Sequence, residues 1–97
     1  MSFYVYILKC SDGSYYTGHT DNIENRLSEH QAGNTTSYTQ TRLPVTLMFM
    51  QDFGTRPEAL EAEMKIKKWS RKKKEALIAQ DWDLLKKLAH RRSGNIR

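Results

Sequence analysis

Residues 4–20 read YVYILKCSDGSYYTGHT, two runs rich in aromatic and β-branched side chains on either side of SDGS. Such runs suit the pleated, half-buried surface of a strand, and Asp12-Gly13 is a strong turn signal. The stretch therefore predicts a β-hairpin, with one strand from Phe3 to Lys9 and a second starting at Ser14 and carried to Thr17. Further along, VTLMFMQ at 45–51 follows Pro44 and alternates Val45, Leu47 and Phe49 with Thr46, Met48 and Met50. Both of its faces are apolar enough for burial, which predicts a third strand.

The segments around the strands carry helix signals. TDNIENRLSEHQAG (20–33) predicts a helix starting near Thr20 or Asp21 and stopping at Gly33, a glycine suited to the left-handed position past a helix end. Ile23 and Leu27 supply its apolar stripe, and Arg26 and His30, four apart, lie on one side of it, where the pair can face a phosphate. The Ser/Thr/Asn/Gln-rich stretch 34–43 reads as a loop holding Tyr38 and Arg42 as candidate ligands. In GTRPEALEAEMKIKKW (54–69), Thr55 and Glu58 have capping-box spacing and Pro57 sits in the first turn, where its missing N–H costs nothing. The expected buried stripe is Ala59, Leu60, Ala62 and Ile66. Glu63 falls on that stripe, so its carboxylate has to be paired, at the rim, or bound to a metal. Ser70 caps a predicted short helix whose Leu77 and Ile78 dock, while its cationic first turn invites an external anion. Asp81 caps a last helix with an apolar stripe of Trp82, Leu85, Leu88 and Ala89, ahead of a fraying SGNIR.

Ninety-seven residues leave room for one core, and 38% hydrophobic content with two prolines and five glycines is the composition of a folded domain. The lone Cys10 excludes an internal disulfide framework and multi-cysteine zinc or iron–sulfur patterns. SFYVYILK has no basic leader and too short an apolar run for a signal peptide or a membrane span, so a cytoplasmic protein with no membrane partner is expected. The net charge of +5 is lopsided: residues 1–50 carry three Lys/Arg against four Asp/Glu, and residues 51–97 carry thirteen against seven. Seven of the ten residues KIKKWSRKKK (65–74) are basic, with Ile66 and Trp69 as apolar anchors, a pattern that attracts phosphate-rich polymers.

Four segments in order, YVYILKCSDGSYYTGHT, NIENRLSEHQAG, SYTQTRLPVTLMF and ALEAEMKIKKWSRKKKEALI, make the chain resemble the GIY-YIG nuclease superfamily, nearest its small stand-alone bacterial members. Tyr4-Val5-Tyr6 stands where that family has Gly-Ile-Tyr, and Tyr16-Thr17-Gly18 where it has Tyr-Ile-Gly. The resemblance implies an α/β (α+β) fold, a three-stranded antiparallel sheet flanked by helices, with residues 1–80 as the catalytic unit and 81–97 as a C-terminal helix and tail packed on it. It implies metal-dependent hydrolysis of nucleic-acid phosphodiesters, DNA ahead of RNA and with little sequence preference, since no recognition domain fits in the length.

By motif position the implied catalytic residues are Tyr6, Tyr16, Arg26, His30 and Glu63, with Glu63 also the ligand of a single Mg²⁺ or Mn²⁺. Tyr6 would take a proton from water, directly or as a phenolate poised by nearby cations, and Tyr16 would orient the water or a phosphate oxygen. Arg26 would hold the phosphate with its rigid fork, and His30 would assist proton transfer or bond a phosphate. Nucleic-acid contacts are expected from Tyr38, Arg42, Lys65, Lys67, Lys68, Arg71, Lys72, Lys73 and Lys74. Gly18 on its own reads as a turn glycine.

One geometric condition follows. A two-residue turn at Asp12-Gly13 pairs residue 6 with 19 and sends Tyr6 and Tyr16 to opposite faces, so a shared site requires an odd-length loop or a bulge near Ser11–Ser14. Two other functions compete: a nucleic-acid-binding module without catalysis, and a protein-interaction module using Trp69, Trp82 and the last helix. The sequence leaves the oligomeric state open.

Overall fold

A computed structural model describes residues 2–34 and 37–88. Strand β1 (Phe3–Lys9) is the centre of a three-stranded antiparallel sheet of order β2-β1-β3, and that position explains its unbroken apolar run: Val5, Tyr6, Ile7 and Leu8 are each at most 2% exposed. Strand β2 (Tyr15–Thr20) runs three residues further than expected, so Gly18 lies inside the strand, opposite Tyr6, rather than in a turn. The connection is residues 10–14, an odd length, with Lys9 paired to Tyr15. Gly13 turns the chain at φ +87°, and Asp12 Oδ1 accepts from both the Ser14 amide (3.0 Å) and hydroxyl (2.6 Å). This parity puts Tyr6, Leu8, Tyr16 and Gly18 on one face and Val5, Ile7, Thr17 and His19 on the other.

Strand β3 (Thr46–Phe53) starts one residue late and ends two residues late. Its expected burial on both faces is wrong: Gln51 and Asp52 are exposed and Met50 is 50% exposed, because α3 packs mainly on β2 and β1 and leaves the far part of this edge strand uncovered.

Helix α1 (Ile23–Gln31) covers the even face, where Ile23, Leu27, Leu43 and Leu47 pack around Tyr6, Leu8, Cys10 and Val45. It begins after Asn22, whose side chain accepts from the Asn25 amide, since Thr20 is still strand. Its end is a Schellman motif: Gly33 (φ +76°) donates to the His30 carbonyl and Asn34 to the Glu29 carbonyl. The polar stretch expected as plain loop contains a single helical turn, α2 (Ser37–Gln40).

Helices α3 (Arg56–Lys67) and α4 (Arg71–Ile78) cover the odd face, with Ala59, Ile66 and Leu77 packed on Val5 and Ile7. Thr55 and Ser70 cap them as expected, accepting from the Glu58 and Lys73 amides. The buried stripe of α3 is Ala59, Glu63 and Ile66; Leu60 is 38% exposed, so the helix presents its small Ala59, not Leu60, to the sheet. Asp81 Oδ1 caps the helical residues 82–88 through the Leu84 amide, and Leu85 reaches the core while Trp82 is 54% exposed. Ala89 and SGNIR lie outside the described residues.

Candidate active site

Gly18 explains how two tyrosines come to share the even face at close range. A Cβ built on it would lie 2.6 Å from the Tyr6 hydroxyl oxygen, 2.8 Å from Tyr6 Cζ and 3.2 Å from Tyr16 Cε2. The Tyr6 phenol thus lies across a strand position that only glycine leaves open. The ring centroids of Tyr6 and Tyr16 are 6.4 Å apart, and the His30 ring meets both edge-on, at 5.8 and 5.3 Å. His30 arrives from the last turn of α1, four residues after Arg26, as the spacing predicts.

The cluster is closed by hydrogen bonds. The Tyr6 hydroxyl is 2.9 Å from His30 Nε2, and His30 Nδ1 is 2.9 Å from the hydroxyl of Thr39 on α2. Tyr6, His30 and Thr39 are 2%, 1% and 0% exposed. Half-buried Tyr16 forms the solvent side, extended by Tyr38, whose ring centroid is 6.0 Å from that of Tyr16. Thr39 is a member of the cluster that sequence reasoning missed. Its one signal was a threonine beside Tyr38 in a polar stretch, which has no apolar period to mark burial.

Burial sets the protonation of this cluster. It pushes the Tyr6 phenol well above the ordinary tyrosine value, aided by Tyr16 and opposed by Arg26. The expected phenolate poised by cations is therefore corrected: desolvation outweighs the guanidinium, and Tyr6 is a neutral phenol at neutral pH. Burial, and then Arg26, also lower the His30 pKa, so the imidazole is neutral. Arg26 Nε is buried with no hydrogen-bond partner among the described residues; Glu29 Oε1 is 3.6 Å away, near enough for charge attraction and too far for a hydrogen bond.

Glu63 lies on the other face, on the α3 side of β2. It is 6% exposed, and its two oxygens are engaged: Oε1 by His19 Nδ1 at 2.6 Å and Oε2 by Lys67 Nζ at 2.9 Å. The misplaced carboxylate is thus paired, while its charge, like that of Tyr16, still raises the Tyr6 pKa. Tyr6, Tyr16 and His30 touch one another; Arg26 and Glu63 join them through the field rather than through contact. His19 is the second residue that sequence reasoning missed, since its partner is 44 positions away.

The basic run is not one uniform surface. Lys65, Lys68 and Lys72 are exposed, and Lys67 is taken by Glu63. Arg71 pairs with Glu75, stacks on Tyr15 at 4.6 Å and donates to the Gly13 carbonyl at 2.7 Å, pinning the hairpin loop to α4. Lys73 is only 9% exposed, with its amine 4.4 Å from the centroid of the partly buried Trp69 ring, and burial lowers the Lys74 pKa. Arg42 stacks on Tyr38 at 4.1 Å and bonds Asp12 at 3.0 Å.

Comparisons with known proteins agree with this fold. A profile described as the GIY-YIG catalytic domain matches residues 2–76. A UPF0213 protein of Halobacterium salinarum is 47% identical over 75 residues, covering 77% of this chain and 97% of its own length. A UPF0213 protein of Bacillus licheniformis is 49% identical over 79 residues, covering 81% of each chain. The solution NMR structure of a UPF0213 protein from Bacillus halodurans, 41% identical, superposes with a TM-score of 0.55 over 82% of this chain and 85% of that one. A solution NMR structure of a protein from E. faecalis, also 41% identical, gives 0.58 over the same shares.

Proposed function

The chain belongs to the GIY-YIG catalytic domain family, and from that premise we propose that it is a metal-dependent endonuclease cutting phosphodiester bonds of nucleic acid, DNA ahead of RNA, with low sequence specificity. The observation that carries this reading is the hydrogen-bonded Tyr6–His30 pair packed on Tyr16, with a buried, unpartnered Arg26 N–H on the same helix as His30. An orphaned guanidinium donor costs about 1–3 kcal/mol in the free protein, and a phosphate oxygen is the acceptor that suits it.

Because both Tyr6 and His30 rest neutral, the proton moves through the pair. As the water oxygen bonds to phosphorus, its proton passes to the Tyr6 oxygen while the Tyr6 proton passes to His30 Nε2. The bond from phosphorus to the leaving 3′ oxygen breaks, and that oxygen takes a proton from solvent. Arg26 faces the charge that grows on the phosphate, and the phosphate in turn offsets Arg26 and favours the transient imidazolium. Tyr16, on the exposed side, orients the water or a phosphate oxygen.

Among the described residues no group of three or more His, Cys, Asp or Glu forms, so a divalent cation would rest on the one carboxylate of Glu63, with waters and substrate phosphate completing its shell. Lys67, 52% exposed on a flexible stem, is the partner such an ion would displace. When bound, the ion supplies charge neutralisation at the leaving oxygen.

The test is nicking of supercoiled plasmid in Mg²⁺ or Mn²⁺ by the wild type, Tyr6→Phe, Arg26→Ala and Glu63→Ala. Each variant should lose about 100-fold or more. Equal cleavage by all four rejects the mechanism, whereas no cleavage by any of them with salt-sensitive binding retained supports the binding module instead.

A further inference from the structure

The function of Thr39 is the unexplained feature of the cluster. It sits on a one-turn helix in a polar stretch, yet it is 0% exposed, and its hydroxyl is spent on the far nitrogen of a histidine that is itself 1% exposed. Burying a hydroxyl is unfavourable unless it is bonded, so this placement needs a reason beyond packing.

The reason lies in the two nitrogens of His30. A neutral imidazole has one N–H and one lone pair, and the bond made at one nitrogen decides what the other can do. At Nε2 the partner is a phenol. A phenolic O–H is a far better donor than a neutral imidazole N–H, and an imidazole lone pair is a better acceptor than a phenol oxygen. Tyr6 therefore donates to Nε2, and Nδ1 bears the hydrogen. That Nδ1–H, sealed from water, needs an acceptor, and Thr39 Oγ1 at 2.9 Å is in place to be one. Edge contacts to Tyr6 and Tyr16 fix where the imidazole lies, but they are indifferent to which nitrogen carries the proton.

We propose that Thr39 is a positioning residue: by accepting from His30 Nδ1–H it holds His30 in the tautomer whose Nε2 lone pair can take the Tyr6 proton. The role rests on the nuclease reading above. Thr39 touches neither substrate nor the reacting atoms. As Nε2 gains its proton, the Nδ1–H bond to Thr39 becomes charge-assisted and strengthens, so the contact is worth more in the transition state than at rest. Without that acceptor the Nδ1–H tautomer loses its advantage over the other, whose Nε2–H can accept nothing. The one-turn helix α2, whose Tyr38 packs on Tyr16 of β2, is then the element that completes the relay.

The experiment combines long-range ¹H–¹⁵N correlation of the His30 ring in the free protein with cleavage kinetics, for wild type, Thr39→Val and Thr39→Ser. Wild type should show the Nδ1–H tautomer. Thr39→Val, nearly isosteric, should lose it and drop kcat by about 10- to 100-fold with KM for DNA unchanged. Thr39→Ser, which keeps the hydroxyl, should restore both; if the valine variant fails to fold, Thr39→Ala carries the same comparison. A valine variant that keeps tautomer and rate overturns the proposal, as does a wild type with Nε2–H. A wild type with the Nδ1–H tautomer and no cleavage overturns the nuclease reading instead.

Discussion

Gly18→Ala isolates the steric basis of the site in a single methyl group. The strand backbone at Gly18 is one that any residue adopts, so the cost comes from space alone. The new Cβ would sit 2.6 Å from the Tyr6 hydroxyl oxygen, against 3.4 Å for ordinary contact, so the phenol has to move by about 0.8 Å, the difference between the two. It has little room, being 2% exposed with Tyr16 beside it. A displacement of that size stretches the 2.9 Å bond to His30 beyond hydrogen-bonding range. Overpacking costs about 1–3 kcal/mol and a buried donor left without a partner about the same, so the sum expected is about 2–6 kcal/mol. For a domain of this size that corresponds to a Tm lower by roughly 10–35 °C, read by thermal circular dichroism. Gly18→Ala combined with Tyr6→Phe should recover about 1 kcal/mol, because the nearest atom is gone while Cζ at 2.8 Å still crowds the methyl. A Gly18→Ala protein melting within about 3 °C of wild type, with unmoved His30 resonances, would falsify the claim that this glycine makes room for Tyr6.

Three further outcomes are expected. His30 has a lowered pKa in the fold, so below about pH 6.5 the unfolded chain takes up a proton that the folded chain refuses. Stability should then fall on acidification from that point, by at most about 1.4 kcal/mol per pH unit, in urea titrations of wild type; a His30→Gln variant with the same slope removes His30 as the cause. Replacing the exposed Lys65, Lys68 and Lys72 by alanine should weaken DNA binding without regard to sequence and flatten its salt dependence by about one unit of log–log slope per lost phosphate contact. The buried Lys73→Ala should leave that slope alone and lower the Tm, and the reverse pattern would mean that the surface is misassigned. Arg26→Leu should abolish cleavage while raising the stability of the free protein by up to about 1 kcal/mol in urea, because an orphaned buried donor is removed; a clear loss of stability would show that Arg26 is structural.

What could be read from the sequence was local or depended on parity. Thr55, Ser70, Asp81 and Gly33 mark helix ends because a cap is a contact across three or four residues. The odd-length loop at 10–14 was required as soon as Tyr6 and Tyr16 had to share a face, and the register bears this out. The misses all depend on which element lies beside which. The composition of β3 does not reveal that it is an edge, since Met48, Phe49 and Met50 read alike with one neighbour or two. Helix α2 is one turn held by the burial of Thr39, too short for any period to show. The rotation of α3 that hides Glu63 and exposes Leu60 follows from Ala59 meeting the sheet, a matter of packing rather than of local propensity.

The family resemblance implies a base at Tyr6, and the fold changes what kind of base that can be. A phenol under solvent beside Arg26 would gain acidity from the cation; the same phenol beneath Gly18 loses more to desolvation than Arg26 returns. On the nuclease reading proposed above, an enzyme built this way cannot store a phenolate between turnovers. It has to hand the Tyr6 proton on in the same event that takes one from water, which is why the nearest atom able to accept it is a neutral imidazole nitrogen 2.9 Å away. That imidazole is neutral because burial and then Arg26 lower its pKa, whereas the phenol is neutral because burial outweighs Arg26. A phosphate that neutralises Arg26 raises the His30 pKa and favours the imidazolium, and it removes the one nearby charge that pulls the Tyr6 pKa down, so the phenol stays protonated until it can pass its proton on. On that reading the relay is primed by the arrival of substrate, and the exposed Lys65, Lys68 and Lys72 can raise the local phosphate concentration without holding the phenol ionised.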